Sequence, residues 1–265
     1  MKLLTLNCHS WLEENQLDKI KILAQTIKEQ EYDVIALQEV NQSIAAEHVN
    51  GIIKKDNFML VLLDYLKKEN ILNYEYTWDF SHIGFDIYEE GLGILTKHPI
   101  IEKYSFFITK TVDPNYWKTR KIIGTKIKYN NKHITFYSCH LGWWGEEEEP
   151  GKQQIDTLCD EALQDELIFL MGDFNNDANK RNEGYDYLLS KGLYDTYQLS
   201  KVKDSGITVA GKIAGWDNNK AGIRIDYIFS NHKVEVNHST VIFNGTNKPV
   251  ISDHFGLEVE IDLKL

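Results

Sequence analysis

Oxygen- and imidazole-bearing side chains in this 265-residue chain stand repeatedly at the ends of apolar runs. The run "LLTLN" ends in Asn7, "VIALQE" in Gln38-Glu39 and "TFYSCH" in His140. "FLMGDFN" ends in Asp173 and Asn175, "VISDH" closes on Asp253-His254, and Asp226 heads "IDYIF". Glu39, Asp173, Asn175 and Asp253 are hard oxygen donors, suited to Mg²⁺ or Mn²⁺ rather than to a soft metal. His140 and His254 can donate to phosphate oxygens or act as a general base. A carboxylate such as Asp226 beside one of them would fix its tautomer and raise its basicity. No Ser or Cys nucleophile stands beside an obvious base, so attack by water, assisted by a metal and a His–Asp pair, is the simplest chemistry on offer. A single Asp or Asn at a strand end is more often a turn residue. The repetition points to a site, because strand ends converge in space on a rigid frame.

The elements that must position these groups are short β-rich runs at 2–7, 33–39, 91–97, 121–129, 133–141, 167–173, 225–231, 234–243 and 255–263. Several are apolar nearly throughout, as strands covered on both faces are. Asn130-Asn131 between two runs signals a hairpin. Ile20, Leu23, Ala24 and Ile27 repeat at helical spacing, as do Phe58, Leu62, Tyr65 and Leu66. Ile155, Leu158, Cys159, Ala162 and Leu163 make a third stripe, whose reading is core packing. Strands mixed with helices and hairpins predict an α/β sandwich with mixed sheets. No linker, repeat or composition shift divides the chain, so one domain over 1–265 is expected.

A hydrophobic fraction of 42% and no long apolar run describe an ordinary globular chain without a membrane span. The apolar start is too short for a secretory leader. Cys8, Cys139 and Cys159 are widely spaced, which fits neither a disulfide framework nor a zinc site. A cytoplasmic protein is expected. The net charge of −11 disfavours long polyanions such as nucleic acid as partners. A small anion remains acceptable where a metal and a few basic groups neutralise it.

The ordered series Asn7, "LQE", "EGLGILTKHPI", "SCHL", "GDFN", "RIDYIF" and "SDHFGL" resembles the endonuclease/exonuclease/phosphatase (DNase I-like) superfamily along essentially the whole chain. The resemblance implies a four-layer α/β sandwich, two mixed sheets packed face to face and flanked by helices, with a metal site at one end. It implies Glu39 as the principal Mg²⁺ ligand, Asn7 beside it and Asp253 as a further ligand. Asp173 and Asn175 match the pair that orients the attacking water, and His254 with Asp226 matches the His–Asp dyad. Whether Asp173 or His254 takes the proton stays open. His140 matches a phosphate-contacting histidine. Glu90 falls where some members pair a carboxylate with that histidine, or is a solvated charge. Arg120 falls where some carry a phosphate-binding arginine, or is a surface charge.

The family spans unrelated substrates, so the metal site cannot name one. "HLGWWGEEEEP" sets Trp143, Trp144 and four glutamates directly after His140. Indole faces pack against sugar rings, and an acidic mouth would repel polyanions; the alternative is a solvated charge run with buried tryptophans. His82 and Trp216 either extend such a pocket or belong to the core. The segments "MKLLTLNCHSWLEENQ", "HIGFDIYEEGLGIL" and "CHLGWWGEEEEP" resemble the bacterial maltose 6'-phosphate phosphatase group. That resemblance implies a Mg²⁺-dependent phosphomonoesterase acting on a small sugar phosphate. The rival expectations are a nuclease or other phosphodiesterase of sphingomyelinase type, and a sugar-binding module on a decayed enzyme fold.

Overall fold

The run Val34–Gln38 is buried at every position, because the sheet that contains it is covered on both faces. The computed structural model describes residues 1–263. Its longer strands are β1 (Lys2–Asn7), β2 (Val34–Gln38), β3 (Glu75–Gly84), β4 (Tyr88–Thr96), β5 (Ile100–Phe107) and β6 (Lys121–Tyr129). They continue with β7 (Lys132–His140), β8 (Ile168–Asp173), β9 (Asp226–Ser230), β10 (Glu235–Ile242) and β11 (Gly256–Asp262). The helices that cover them are α1 (Gln16–Gln30), α2 (Phe58–Lys68), α3 (Gly151–Ala162) and α4 (Gly184–Ser190).

One sheet runs β10-β11-β1-β2-β4, with β3 also paired to β4 and short strands at its edges. The other runs β9-β8-β7-β6-β5, with the short strand Tyr194–Asp195 beyond β9. β1–β2 and β7–β8 are parallel, whereas their outer neighbours are antiparallel, so both sheets are mixed.

The sheets face each other through Val34, Ala36 and Ile94 on one side and Phe136, Phe169 and Met171 on the other. Phe136 and Phe169 stack with ring centroids 5.2 Å apart. Each such side chain stabilises the seam by roughly 1.5–3 kcal/mol relative to leaving it in water. On the outer face of the first sheet, Ile20, Leu23 and Ile27 of α1 and Phe58 and Leu62 of α2 pack on Leu4, Leu6, Ile35 and Leu37. Ile155 and Leu158 of α3 and Leu188 of α4 cover Leu170, Tyr227 and Phe229 of the second. The result is the four-layer α/β sandwich, helices outside two mixed sheets. Among the described residues no helix is long and apolar enough to cross a membrane.

Local chemistry explains the boundaries. Asn57 caps α2 by accepting from the Met59 N–H at 3.0 Å. Asn130 and Asn131 both adopt positive φ, 47° and 62°, which closes the β6–β7 hairpin where the sequence places it. Two of the longer strands, β3 and β5, lie outside the runs predicted from the sequence. β5 is an edge strand with three consecutive exposed residues, Ile101 to Lys103, and so lacks an apolar run.

Candidate active site

Strand direction gathers the polar termini at one end of the sandwich. β1 and β2 run parallel with Asn7 opposite Gln38, so Glu39 follows directly beside Asn7. In the second sheet His140 lies opposite Asp173, and Asp173 opposite Asp226, on three adjacent strands. One layer beneath, Gln38 donates to the Ser138 hydroxyl at 2.9 Å and ties the sheets together under the site.

The backbone turns sharply at the same level. Glu39 has φ 51° and Asn175 φ 49°, left-handed conformations in which an Asn is tolerated better than a Glu. The Asn175 N–H donates to Asp173 Oδ1 at 2.8 Å, an Asx turn, so a turn role and a site role coexist in this pair. Gly172 has φ 149°, and a Cβ there would stand 1.9 Å from the Cys139 carbonyl oxygen. Only glycine lets β7 and β8 approach closely enough to hold His140 beside Asp173.

The side chains converge on Asp173. Its Oδ2 lies 3.7 Å from His140 Nε2, 3.7 Å from His254 Nε2 and 3.2 Å from the Asn7 amide nitrogen. The same Asn7 nitrogen donates to Glu39 Oε1 at 2.8 Å, so Asn7 bridges the two carboxylates. Its Oδ1 accepts from the His9 N–H, which fixes that orientation of the amide. His254 Nδ1 sits 3.0 Å from Asp226 Oδ2, and His82 Nε2 3.5 Å from Glu90 Oε1. Asn175 donates to the Leu141 carbonyl and accepts from Trp216 Nε1 at 3.1 Å.

A cavity of about 330 Å³ holds Glu39, Glu90, Asp173 and Asp253 together with His82, His140, His254 and Arg120. Burial and then the neighbouring Glu90 charge push the Glu39 carboxyl up to about 7. Burial and Asp226 push Asp173 up to about 7 as well, although His254 pulls against them. Burial likewise raises Glu90. His254 behaves in the opposite way: burial disfavours its cation, but Asp226 and Asp173 outweigh it and raise the group to about 10. His140 falls well below its ordinary value through burial and the Arg120 charge, and His82 falls to about 3 for the same reasons. His254 therefore stands as an imidazolium, and His140 and His82 as neutral imidazoles, among mutually repelling carboxylates. A divalent cation would relieve that repulsion, and the hard-oxygen donor set around Glu39 fits one.

Arg120 is buried beside the cavity, and its guanidinium donates to the Trp117 and Thr119 carbonyls. Its Nε and His82 Nδ1 are buried without a protein partner. The Arg120 Nε–H is a donor that a phosphoryl oxygen can satisfy, whereas His82 Nδ1, on a neutral ring whose Nε2 faces Glu90, is an acceptor that a hydroxyl can satisfy.

The tryptophans separate. Trp143 forms part of the cavity wall, whereas Trp144 packs on Tyr187 and Trp216 lies on the far side of Trp143. Most of the glutamate run is committed to structure. Glu146 and Glu148 bind Lys118, and buried Glu149 accepts from the Lys110 and Thr111 N–H groups. Among the cavity residues that escape a reading from the sequence are His9 and Trp117. His9 lies within 3.8 Å of Asp253 Oδ1 and 2.7 Å of Glu13 Oε1, and Trp117 stands on the rim. His9 carried a signal, since it lies two residues beyond Asn7 at the same strand end; Trp117 carried none.

Residues 5–254 match the endonuclease/exonuclease/phosphatase family. The chain belongs to that family. Its structure is similar to that of an endonuclease/exonuclease/phosphatase family protein from Leptotrichia buccalis, 45% identical, with a TM-score of 0.94 and 99% and 100% of the two chains covered. A mannosyl-6-phosphatase from Bacteroides thetaiotaomicron shares the fold at 19% identity, with a TM-score of 0.72 over 99% and 100% of the chains. Sphingomyelinase C from Bacillus cereus is 26% identical over 202 residues, 74% of this chain. The match spans about half of that relative's length, 54%. Members of the family are hydrolases, phosphatases among them, that generally work with divalent metals.

Proposed function

We propose that the protein is a Mg²⁺- or Mn²⁺-dependent phosphomonoesterase that releases phosphate from a small sugar phosphate, with maltose 6'-phosphate the best-fitting substrate. The observation that carries this reading is the convergence of both histidines on Asp173 Oδ2 at 3.7 Å, with Asp226 behind one of them and Glu39 opposite.

Glu39 would hold the metal, with Asp253 as a further ligand and Asn7 keeping Glu39 and Asp173 in place. A bound divalent cation would polarise a phosphoryl oxygen and offset the carboxylate charge. Arg120 and His140 face the remaining non-bridging oxygens, and Glu90 holds His82. The His254 imidazolium, kept charged by Asp226, donates a hydrogen bond to the charge that develops in the in-line displacement. Asp173, steadied by the Asn175 N–H, orients water and takes its proton as the new P–O bond forms; the bond from phosphorus to the sugar oxygen breaks, and that oxygen takes up a proton from solvent to leave as the sugar hydroxyl. Because His254 already holds its proton, Asp173 is the better placed base.

The sugar assignment rests on a small cavity walled by Trp143, on a net charge of −11 that disfavours nucleic acid, and on the shared fold of a mannosyl-6-phosphatase. Asn7 to His254 supply one catalytic centre, which supports one domain across 1–265. Three buried, unpaired cysteines suit a reducing, cytoplasmic setting.

One observation favours a phosphodiesterase instead. Phe85 is 67% exposed and Trp117 51% exposed at the cavity mouth, and sphingomyelinase C is among the relatives. Inorganic phosphate release from maltose 6'-phosphate and glucose 6-phosphate, set against strand scission of abasic DNA and phosphocholine release from sphingomyelin, each with Mg²⁺ and with EDTA, separates the two. Metal-dependent turnover of the sugar phosphates is expected, lost in Glu39→Ala and reduced ~10²-fold or more in kcat by His254→Ala. Cleavage of DNA or sphingomyelin without sugar-phosphate turnover would overturn it. Turnover unaffected by EDTA and by Glu39→Ala would remove the metal site from the mechanism.

A further inference from the structure

A second and larger cavity, about 750 Å³, adjoins the catalytic one. Trp143 and Asn175 line both, so the indole of Trp143 and the Asn175 amide form the partition between them. Gly215 presses against the Trp143 ring with φ 78°; a Cβ there would come within 2.4 Å of it. The partition is therefore packed closely on its far side. The catalytic cavity lies near the lower size limit for small-molecule pockets, enough for a phosphoryl group and its nearest ring, whereas the second adds ample room beyond.

The chemistry of the larger cavity suits an uncharged polyhydroxyl compound. Trp144 and Trp216 contribute indoles, and Lys180 lies with its ammonium 5.0 Å from the Trp216 ring centroid. Lys180 and Lys220 are set against Asp177, Glu183 and Asp217, so no excess of positive charge awaits a second phosphate. Aromatic faces rimmed by alternating donors and acceptors match the apolar faces and hydroxyl edges of a sugar ring. Trp143 Nε1, at the partition, is buried without a protein partner. Trp216 Nε1 donates to Asn175 Oδ1, which links the second cavity to the Asx turn that holds Asp173.

We propose that this cavity is a glycosyl subsite, which takes the unphosphorylated ring of a disaccharide phosphate while the phosphorylated end sits beside Asp173. The assignment rests on the sugar-phosphatase reading above and deepens it. Occupancy of the subsite packs Trp216 and steadies its bond to Asn175, so the second ring improves kcat as well as KM.

The test compares maltose 6'-phosphate with glucose 6-phosphate in the wild type, Trp144→Ala, Glu183→Gln and Trp216→Phe. Trp144→Ala and Glu183→Gln are expected to lower the kcat/KM ratio of disaccharide to monosaccharide phosphate by ~5–10-fold. Trp216→Phe keeps an aromatic face but loses the Nε1 donor, and is expected to lower kcat for the disaccharide more than it raises KM. Equal losses on both substrates, or an unchanged ratio in Glu183→Gln, would overturn the subsite; Glu183→Gln also covers the case in which Trp144→Ala fails to fold. If the wild type hydrolyses no sugar phosphate, the functional reading falls and neutral maltose decides the subsite alone. Saturable quenching of tryptophan fluorescence that Glu183→Gln weakens would keep it, and no quenching would end it.

Discussion

Arg120 and Arg224 are almost equally buried, 5% and 6% exposed, yet their surroundings differ completely. Arg224 Nη1 meets Asp195 Oδ2 at 2.8 Å, and its guanidinium lies 4.5 to 5.1 Å from the rings of Tyr197, Tyr227 and Tyr185. Although burial opposes its charge, Asp195 raises the pKa. The Arg120 guanidinium donates only to main-chain carbonyls, has an unpartnered Nε and, among the described residues, has no carboxylate within ion-pair distance. Burial holds its pKa below the usual arginine value despite Glu90 and Glu39 nearby. A buried charge with every partner supplied belongs to the scaffold, and one left short faces a ligand.

The contrast breaks most easily at Arg224. Arg224→Met leaves Asp195 buried without its cation and should cost ~3–5 kcal/mol in urea unfolding. A loss no larger than that of Arg120→Met would erase the distinction. For Arg120→Met the expectation is reversed: kcat/KM falls ~10²-fold or more, while the urea midpoint holds or rises. Arg120→Lys should recover only part of the activity, because a point charge replaces a planar fork. Glu149 sharpens the same rule among anions. Glu149→Ala removes the acceptor for two main-chain N–H groups and should destabilise by ~1–2 kcal/mol while leaving KM alone. A KM that rises with little loss of stability would return the glutamate run to substrate binding.

The smallest expected effect concerns Glu39. Its folded pKa, about 7, lies above the ordinary carboxylate value. The group therefore favours folding fully below that ordinary value, and the contribution is lost as pH rises through about 7. In EDTA at about pH 8, Glu39→Gln should raise Tm by roughly 3 °C, with the gain fading toward pH 5. A gain that persists at pH 5 would remove ionisation as its cause.

Much of the site was legible because its residues sit at strand ends, where apolar runs give way to Asn7, Glu39, His140 and Asp173 in plain view. The helical stripes and the Asn130-Asn131 hairpin were legible for the same reason: local periodicity and turn chemistry determine them. β3 and β5 were not, since "EYTWDFSHIG" and "IIEKYSFF" interleave polar and apolar residues without a clean period. The register that puts His82 opposite Glu90 across a bulge is non-local and left no trace. Nor could the glutamate run reveal that Glu149 is buried, because that depends on main-chain groups 38 and 39 residues away.

The candidate catalytic groups come from both sheets: Asn7 and Glu39 at strand ends of one, with Asp253 just ahead of its strand β11, and His140, Asp173 and Asp226 from the other. Whatever is held between them acts as a clasp across the seam of the sandwich. By mass action, a ligand that recognises only the docked arrangement stabilises the docking itself, in proportion to the logarithm of its concentration. As the protein is heated, turnover then reports the closing of that seam, and it ceases once the sheets part at this end, even while each keeps its own hydrogen-bonded ladder.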